Sequence, residues 1–428
     1  MLIYVVRPGD TLYSIAAAQG VPQSQVALDN GLDPTEPLVV GQALVIRFPA
    51  TVHTVRPGET LSGIARRYGL EVRTLYQNNP ILQGSPTIWP GETLVLSYHQ
   101  QTGPMISVNA YAYTNIDPVL LRSTLSFLTY LTPFTYGFTP SGELVELQDG
   151  WLIAQAWDMG TAPLMHLSTL TQEGGFSNEL AHLLLNDPAL QETVIQNLIV
   201  TLQERGYVGL DIDFEYVFAQ DAAAYAAFLA KVRSALHPLG YPLIAALAPK
   251  ISANQSGTLY EGHDFAAIGA AVDRALLMTY EWGYTYGPPM AVAPIPNVRQ
   301  VVEYALTEIP AEKLWLGMPN YGYDWPLPFV QGQSKATSIS SQQAVALARR
   351  YRAEIQYDNQ AQSPYFFYTD ERSVIHEVWF EDARSIRAKL ALIPEYGMSG
   401  AGYWNLMREF PQNWLVLSSL YQIRQGLL

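Results

Sequence analysis

"VGLDIDFEYV", residues 208–217, alternates two kinds of side chain. Val208, Leu210, Ile212, Phe214 and Tyr216 are apolar or aromatic, and Gly209, Asp211, Asp213 and Glu215 fill the places between. A period of two is that of a β-strand, whose successive side chains point to opposite faces. One face reads as buried; the other is a column of carboxylates about 6.7 Å apart. Three ionised carboxylates enclosed by protein repel one another and lack water, so at least one is expected to hold a proton near neutral pH. No neighbouring strand candidate offers an arginine to pair with them. Packing gives no reason for such a column; acid–base chemistry does.

Outward from this stretch, short apolar runs alternate with helical patterns. Strands are expected over 106–111, 130–136, 162–168, 207–216, 242–249, 275–282, 313–323 and 397–406. Helices are expected between them, over 188–205, 220–237, 296–309 and 380–394 among others. Eight strands with helical crossovers predict an α/β fold, a (β/α)8 TIM barrel over residues 105–428. Residues 325–378 fit the alternation poorly and read as a small α+β insertion between the last two strands. In such a barrel the chemistry sits at the C-terminal ends of the strands, which places Glu215 nearest the mouth.

The first hundred residues differ. "VRPGDTLYSIA" (6–16) returns as "VRPGETLSGIA" (55–65), an offset of 49, and Asn30 is answered by Asn79. An acid and a hydroxyl before an apolar run suit a helix N-terminus, so each repeat reads as a βααβ unit. The units take residues 1–50 and 51–98, with a linker over 99–104.

The repeats resemble LysM modules, which implies binding of N-acetylglucosamine-containing glycans such as peptidoglycan or chitin. Carried over by position, the sugar contacts are Gly9, Asp10, Thr11 and Leu12 in the first unit, and Gly58, Glu59, Thr60 and Leu61 in the second. Asn79, Pro80, Ile81 and Leu82 would form the other wall of the second. A purely structural role stands beside this: the threonines as helix caps, the leucines as core.

Residues 208–215 resemble the DxxDxDxE signature of glycoside hydrolase family 18, with Val208 in place of the first acid. Val208 has the wrong parity to face the pocket, so that loss is expected to be structural. "MTYE" (278–281) is similar to the family's sixth-strand MxYD with Glu281 for Asp; "GMPNYGYDW" (317–325), "WFED" (379–382) and "GYWNL" (402–406) are similar to later segments. The third-strand SxGG pattern is degraded to "STLTQEGG" (168–175). The family is one of substrate-assisted catalysis. The resemblance implies Glu215 as general acid and then base, Asp213 as the group orienting the substrate acetamide, and Asp211 as its proton-sharing neighbour. It implies Tyr280 as a hydroxyl donor to the acetamide oxygen and Trp404 as the floor under the sugar, with Glu281 also on the substrate. Tyr111, Tyr321 and Trp282 read equally as pocket walls or as core.

Paired modules before the barrel resemble the spore-cortex-lytic N-acetylglucosaminidases of endospore formers. That implies cleavage of cortex peptidoglycan after N-acetylglucosamine, a location in spore coat, cortex or another extracytoplasmic wall, and spore-coat proteins as partners. A chitinase or other endo-β-N-acetylglucosaminidase, and a non-catalytic glycan-binding coat or wall protein, remain open as alternatives. Intact Glu215 argues against the latter.

A net charge of −14 argues against a nucleic-acid partner. The chain has no cysteine, and its seven histidines show no HExxH spacing, so neither metal nor cofactor is expected. No run approaches the roughly 18 apolar residues of a membrane span. "MLIYVVRPGDTL" lacks a basic region before its short apolar run, so no signal peptide is expected.

Overall fold

The computed structural model describes residues 1–99, 103–171 and 173–426. The linker expected over 99–104 therefore falls partly outside the described residues. Each N-terminal repeat closes a two-stranded antiparallel sheet around two helices. In the first, Leu2–Val5 pairs with Ala43–Ile46 around helices Leu12–Gln19 and Gln23–Asp29. In the second, Pro49–Thr54 pairs with Thr93–Tyr98 around Leu61–Arg67 and Val72–Asn78. Thr11 and Thr60 cap the first helix of each unit, accepting from the N–H of Ser14 and Gly63. Asn30 and Asn79 each donate to a helix carbonyl (Val26, Leu75) and a strand carbonyl (Val45, Val95), and accept from that strand's N–H. The repeated asparagine thus bolts the second helix to the closing strand.

The barrel closes. Its strands are Met105–Tyr113, Tyr130–Phe134, Ala162–Pro163 continued by Met165–Ser168, Leu210–Asp213, Leu243–Leu247, Arg274–Leu277, Leu314–Pro319 and Gly400–Trp404. Every neighbour is parallel, and the eighth strand returns to the first through Gly400 opposite Ser107. Helices such as Pro188–Arg205, Ala222–Leu236 and Ile295–Glu308 carry the crossovers. The fourth strand is shorter than expected and ends at Asp213, so Glu215 lies in the loop above it, followed by Tyr216 at φ 55°. Val208 precedes the strand and packs with Leu164, Ile244 and Trp315 in the apolar plug at its foot. The missing acid is thus replaced by packing, away from the pocket.

The strand expected over 313–323 is two strands. The first ends at Pro319; after Asn320 the chain leaves the barrel, and Tyr321–Pro326 enters a separate antiparallel sheet. That sheet runs Thr337–Ser340, Tyr321–Pro326, Ile375–Trp379, Ser363–Thr369, Gln356–Asp358, with helix Ser341–Arg350 following its first strand. The inserted sheet accordingly begins four residues before the expected boundary of 325. On leaving it, Asp382 caps helix Ala383–Leu390, and the buried Glu381 pairs with Lys389 at 2.8 Å.

The modules are packed onto this body. Ala43 and Val45 of the first module lie in the same buried core as Leu390 and Trp414. Gln412 donates to Asn30 Oδ1 and to the Ala43 carbonyl, at 2.7 and 2.8 Å. Gly41, at φ 84°, has no room for a side chain, because a Cβ would lie 1.8 Å from the Ile355 carbonyl oxygen. The second module inserts Arg73, whose guanidinium donates to the carbonyls of Ser126 and Leu128. Within the first module Arg47 grips Asp29 through two nitrogens at 2.6 and 3.0 Å, all of it buried, and it also donates to the Asn78 carbonyl of the second at 3.3 Å. Among the described residues no helix is long and apolar enough to cross a membrane.

Candidate active site

Inward alternation along the barrel strands brings the acid column together with aromatics from the first, second and eighth strands and from the loop after the sixth. Asp213, Glu215, Tyr280, Glu281, Trp282, Tyr111 and Trp404 all line one cavity of ≈ 260 Å³ at the C-terminal mouth. Asp211 lies beneath it, fully buried, and accepts a hydrogen bond of 2.7 Å from the Tyr111 hydroxyl. Tyr111 therefore holds the lowest acid as well as walling the pocket. Tyr321 is absent from this cavity. It lines the adjoining cleft and donates to Glu281 Oε1 at 2.5 Å, where Tyr323 donates as well at 3.0 Å. Trp404 is braced by Phe134 and Tyr111, ring centroids 4.8 and 5.7 Å away.

Burial dominates the electrostatics. It pushes Asp211 up to about 7, against the pull of the Tyr111 hydrogen bond. Asp213 is held well above the ordinary carboxylate range by burial and then by the charges of Glu215 and Asp211. Glu215 is raised by burial and by Glu281. Burial and mutual repulsion thus favour the protonated form along the whole column, which is the form a general acid at the mouth requires. Tyr280 is raised well above its usual value, first by burial and then by Asp213 and Glu215, so it keeps its proton as a donor.

Sequence reading missed His166. It sits on the third strand opposite Asp211, with Nε2 3.8 Å from Asp213 Oδ2 and Nδ1 sharing a 2.6 Å hydrogen bond with Thr135 Oγ1. Burial lowers it to about 3, so it is a neutral imidazole. Its signal was the parity of "MHLS" (165–168), where His166 and Ser168 alternate beside Asp211 and Asp213. Among the described residues no three His, Asp or Glu side chains are placed to share a metal ion.

The acid at the mouth works only while protonated, so activity should fall as pH rises through its pKa. Glu281→Gln removes a neighbouring charge that raises that pKa. The alkaline limb of kcat/KM is expected to move to lower pH in this variant. A limb that stays in place would mean Glu281 does not act on Glu215.

In the modules the sequence-matched sugar contacts divide. Gly9 and Gly58 form exposed turns at φ 86° and 82°, Thr11 and Thr60 are exposed caps, and Ile81 is exposed beside the half-buried Pro80. Asp10 and Glu59 fasten the turn by accepting from the N–H of Arg7 and Arg56. Leu12, Leu61 and Leu82 are buried in the module cores, and Asn79 is the buried bolt described above. The side chains of these four hold the module together, which leaves any sugar contact at these positions to their backbone atoms.

Comparison with known proteins agrees with this geometry. The model of glycosyl hydrolases family 18 matches residues 153–409, and the LysM domain model matches 4–47 and 53–97. The chain is 39% identical to the cortical fragment-lytic enzyme of Bacillus subtilis over 99% of each chain, and 38% identical to that of Bacillus anthracis over 98% of each. The Bacillus cereus spore cortex-lytic enzyme SleL superposes with a TM-score of 0.84 at 38% identity, covering 99% of this chain and 98% of that one. A closed barrel, an intact acid column and both modules thus meet in a single chain, which belongs to glycosyl hydrolases family 18 and is a glycoside hydrolase carrying two LysM modules.

Proposed function

We propose that the enzyme cuts spore-cortex peptidoglycan after N-acetylglucosamine, as a retaining β-N-acetylglucosaminidase that uses the substrate's own acetamide as nucleophile. The observation that carries this is the column itself: one acid at the mouth, a second behind it facing the same cavity, a third buried beneath. Glu215 gives its proton to the glycosidic oxygen. The bond from the anomeric carbon to that oxygen breaks and the leaving sugar departs as an alcohol, while the acetamide carbonyl closes on the anomeric carbon to form an oxazolinium ion. Asp213 accepts the acetamide N–H and offsets the positive charge that develops there. Asp211 shares a proton with Asp213 and so sets its charge, while Tyr280 donates to the carbonyl oxygen. Glu215, now ionised, takes a proton from the water that opens the ring. The modules hold the enzyme on N-acetylglucosamine-containing wall, which fits action outside the cytoplasm at the spore cortex and contact with coat proteins. Full-length likeness to cortical fragment-lytic enzymes supports this substrate over chitin.

The test is mass spectrometry of the products from purified cortex and from chitin digested in parallel. The expected result is cortex fragments with N-acetylglucosamine at the new reducing end, released faster than chitin is cut. Fragments ending in muramic acid, or intact cortex beside digested chitin, would overturn the reading.

A further inference from the structure

The groove does not end at Trp404. Tyr113, Glu281 and Trp404 line both the catalytic cavity and a second one of ≈ 410 Å³, so the two are continuous. Asn115, the inserted sheet and the loop after the eighth strand wall this second part. The other charged groups lining the groove are the acids Asp213, Glu215 and Glu281; among the described residues Arg408 is its one cation. Arg408 is half-buried and fixed. Its Nη1 donates to Ser338 Oγ at 2.8 Å and to the Ile339 carbonyl at 3.2 Å, and Tyr321 packs its ring 5.9 Å from the guanidinium. The other edge, Nε with Nη2, has no hydrogen-bond partner among the described residues. That is the edge that grips a carboxylate through two parallel hydrogen bonds. Burial lowers the pKa of Arg408, yet a guanidinium stays charged in a protein. A fixed, partly desolvated fork in an acidic groove calls for an anion.

The position says which sugar carries it. Glu215 must face the bond being cut, and it does not line the second cavity. Trp404, the floor under the reactive sugar, is shared by both cavities, so a sugar in the second lies beyond the reactive one on the side away from Glu215, in the part of the strand that retains it. In peptidoglycan the sugars alternate, so that neighbour is muramic acid, whose lactyl arm ends in a carboxylate or continues into a peptide that bears carboxylates. Chitin offers neither. Resting on the cortex reading above, we infer that Arg408 binds a carboxylate of the muramic unit beside the reactive sugar and thereby selects peptidoglycan over chitin.

The test compares kcat/KM of the full-length enzyme on three soluble substrates: muropeptide tetrasaccharides with peptide stems, the same with stems removed to leave the lactyl carboxylate, and chitotetraose. Arg408→Gln is expected to lose about tenfold on at least one carboxylated substrate, the scale of a charged hydrogen bond, and less than about twofold on chitotetraose. Which carboxylated arm falls identifies stem or lactyl carboxylate, and Arg408→Lys should fall between. Amidating the substrate carboxylates should cost the wild-type enzyme a similar factor, with no protein variant involved. Equal loss on all three substrates would make Arg408 a strut of the inserted sheet and overturn the inference, as would wild-type indifference to amidation. A wild-type enzyme that cuts chitotetraose but neither muropeptide would remove the cortex reading and this inference together.

Discussion

Glu215→Gln is expected to lower kcat by roughly two to four decades, the range a positioned general acid supplies. The amide fills the same space at the mouth of the cavity and cannot give up a proton to the leaving oxygen. Binding rests on Trp404, Tyr280 and the rest of the pocket, so affinity for an uncut oligosaccharide should change little. Calorimetric titration beside turnover separates the two effects. Wild-type turnover in this variant would take Glu215 out of the mechanism. Lost turnover together with lost binding would give it a packing role.

Asp213→Asn should be the next most damaging change, on the order of 10²- to 10³-fold, as for removal of a preorganised partner of developing charge. The side chain keeps its size at the cavity wall and loses the charge that, in the mechanism proposed above, faces the acetamide. Asp213 acts through the substrate's own group, so its loss should also weaken inhibition by a thiazoline mimic of the oxazolinium ion. Substrates without a 2-acetamido group should not be cut at all. The stereochemistry follows from the same step: ring closure inverts the anomeric carbon and water inverts it again. Proton NMR on fresh substrate should therefore show the β-anomer first. Initial release of the α-anomer would mean direct attack by water, and Asp213 would no longer be the orienting group.

Much of this was legible because two of the signals are periodic. The offset of 49 between repeats and the alternation of 208–217 are properties of the chain that folding only displays. What escaped reading was tertiary. Arg47 and Arg73 look like solvated helix-and-strand arginines until another part of the chain supplies Asp29, Ser126 and Leu128 as partners. The end of the seventh barrel strand was hidden because "GMPNYGYDW" remains apolar and aromatic through Asn320, where the chain changes sheets. Leu12 and Leu61 read either as sugar contacts or as core, and burial takes their side chains, with that of Leu82, into the module cores. His166 and Arg408 have no motif around them. Only the ring of strands and the inserted sheet give them neighbours.

The packing of the modules against the barrel alters what their removal would mean. Ala43 and Val45 complete a core that also contains Leu390 and Trp414, and Arg73 satisfies carbonyls of the barrel domain. Truncation after residue 98 would strip an apolar face and strand those carbonyls, so lost activity in such a fragment would report a damaged barrel as readily as lost targeting. The same fixed seating removes the slack of a flexible linker, whose length would otherwise set the local concentration of substrate. A wall strand held by the modules meets Glu215 at a single gauge: its reach either spans the distance or the strand is not cut from that grip.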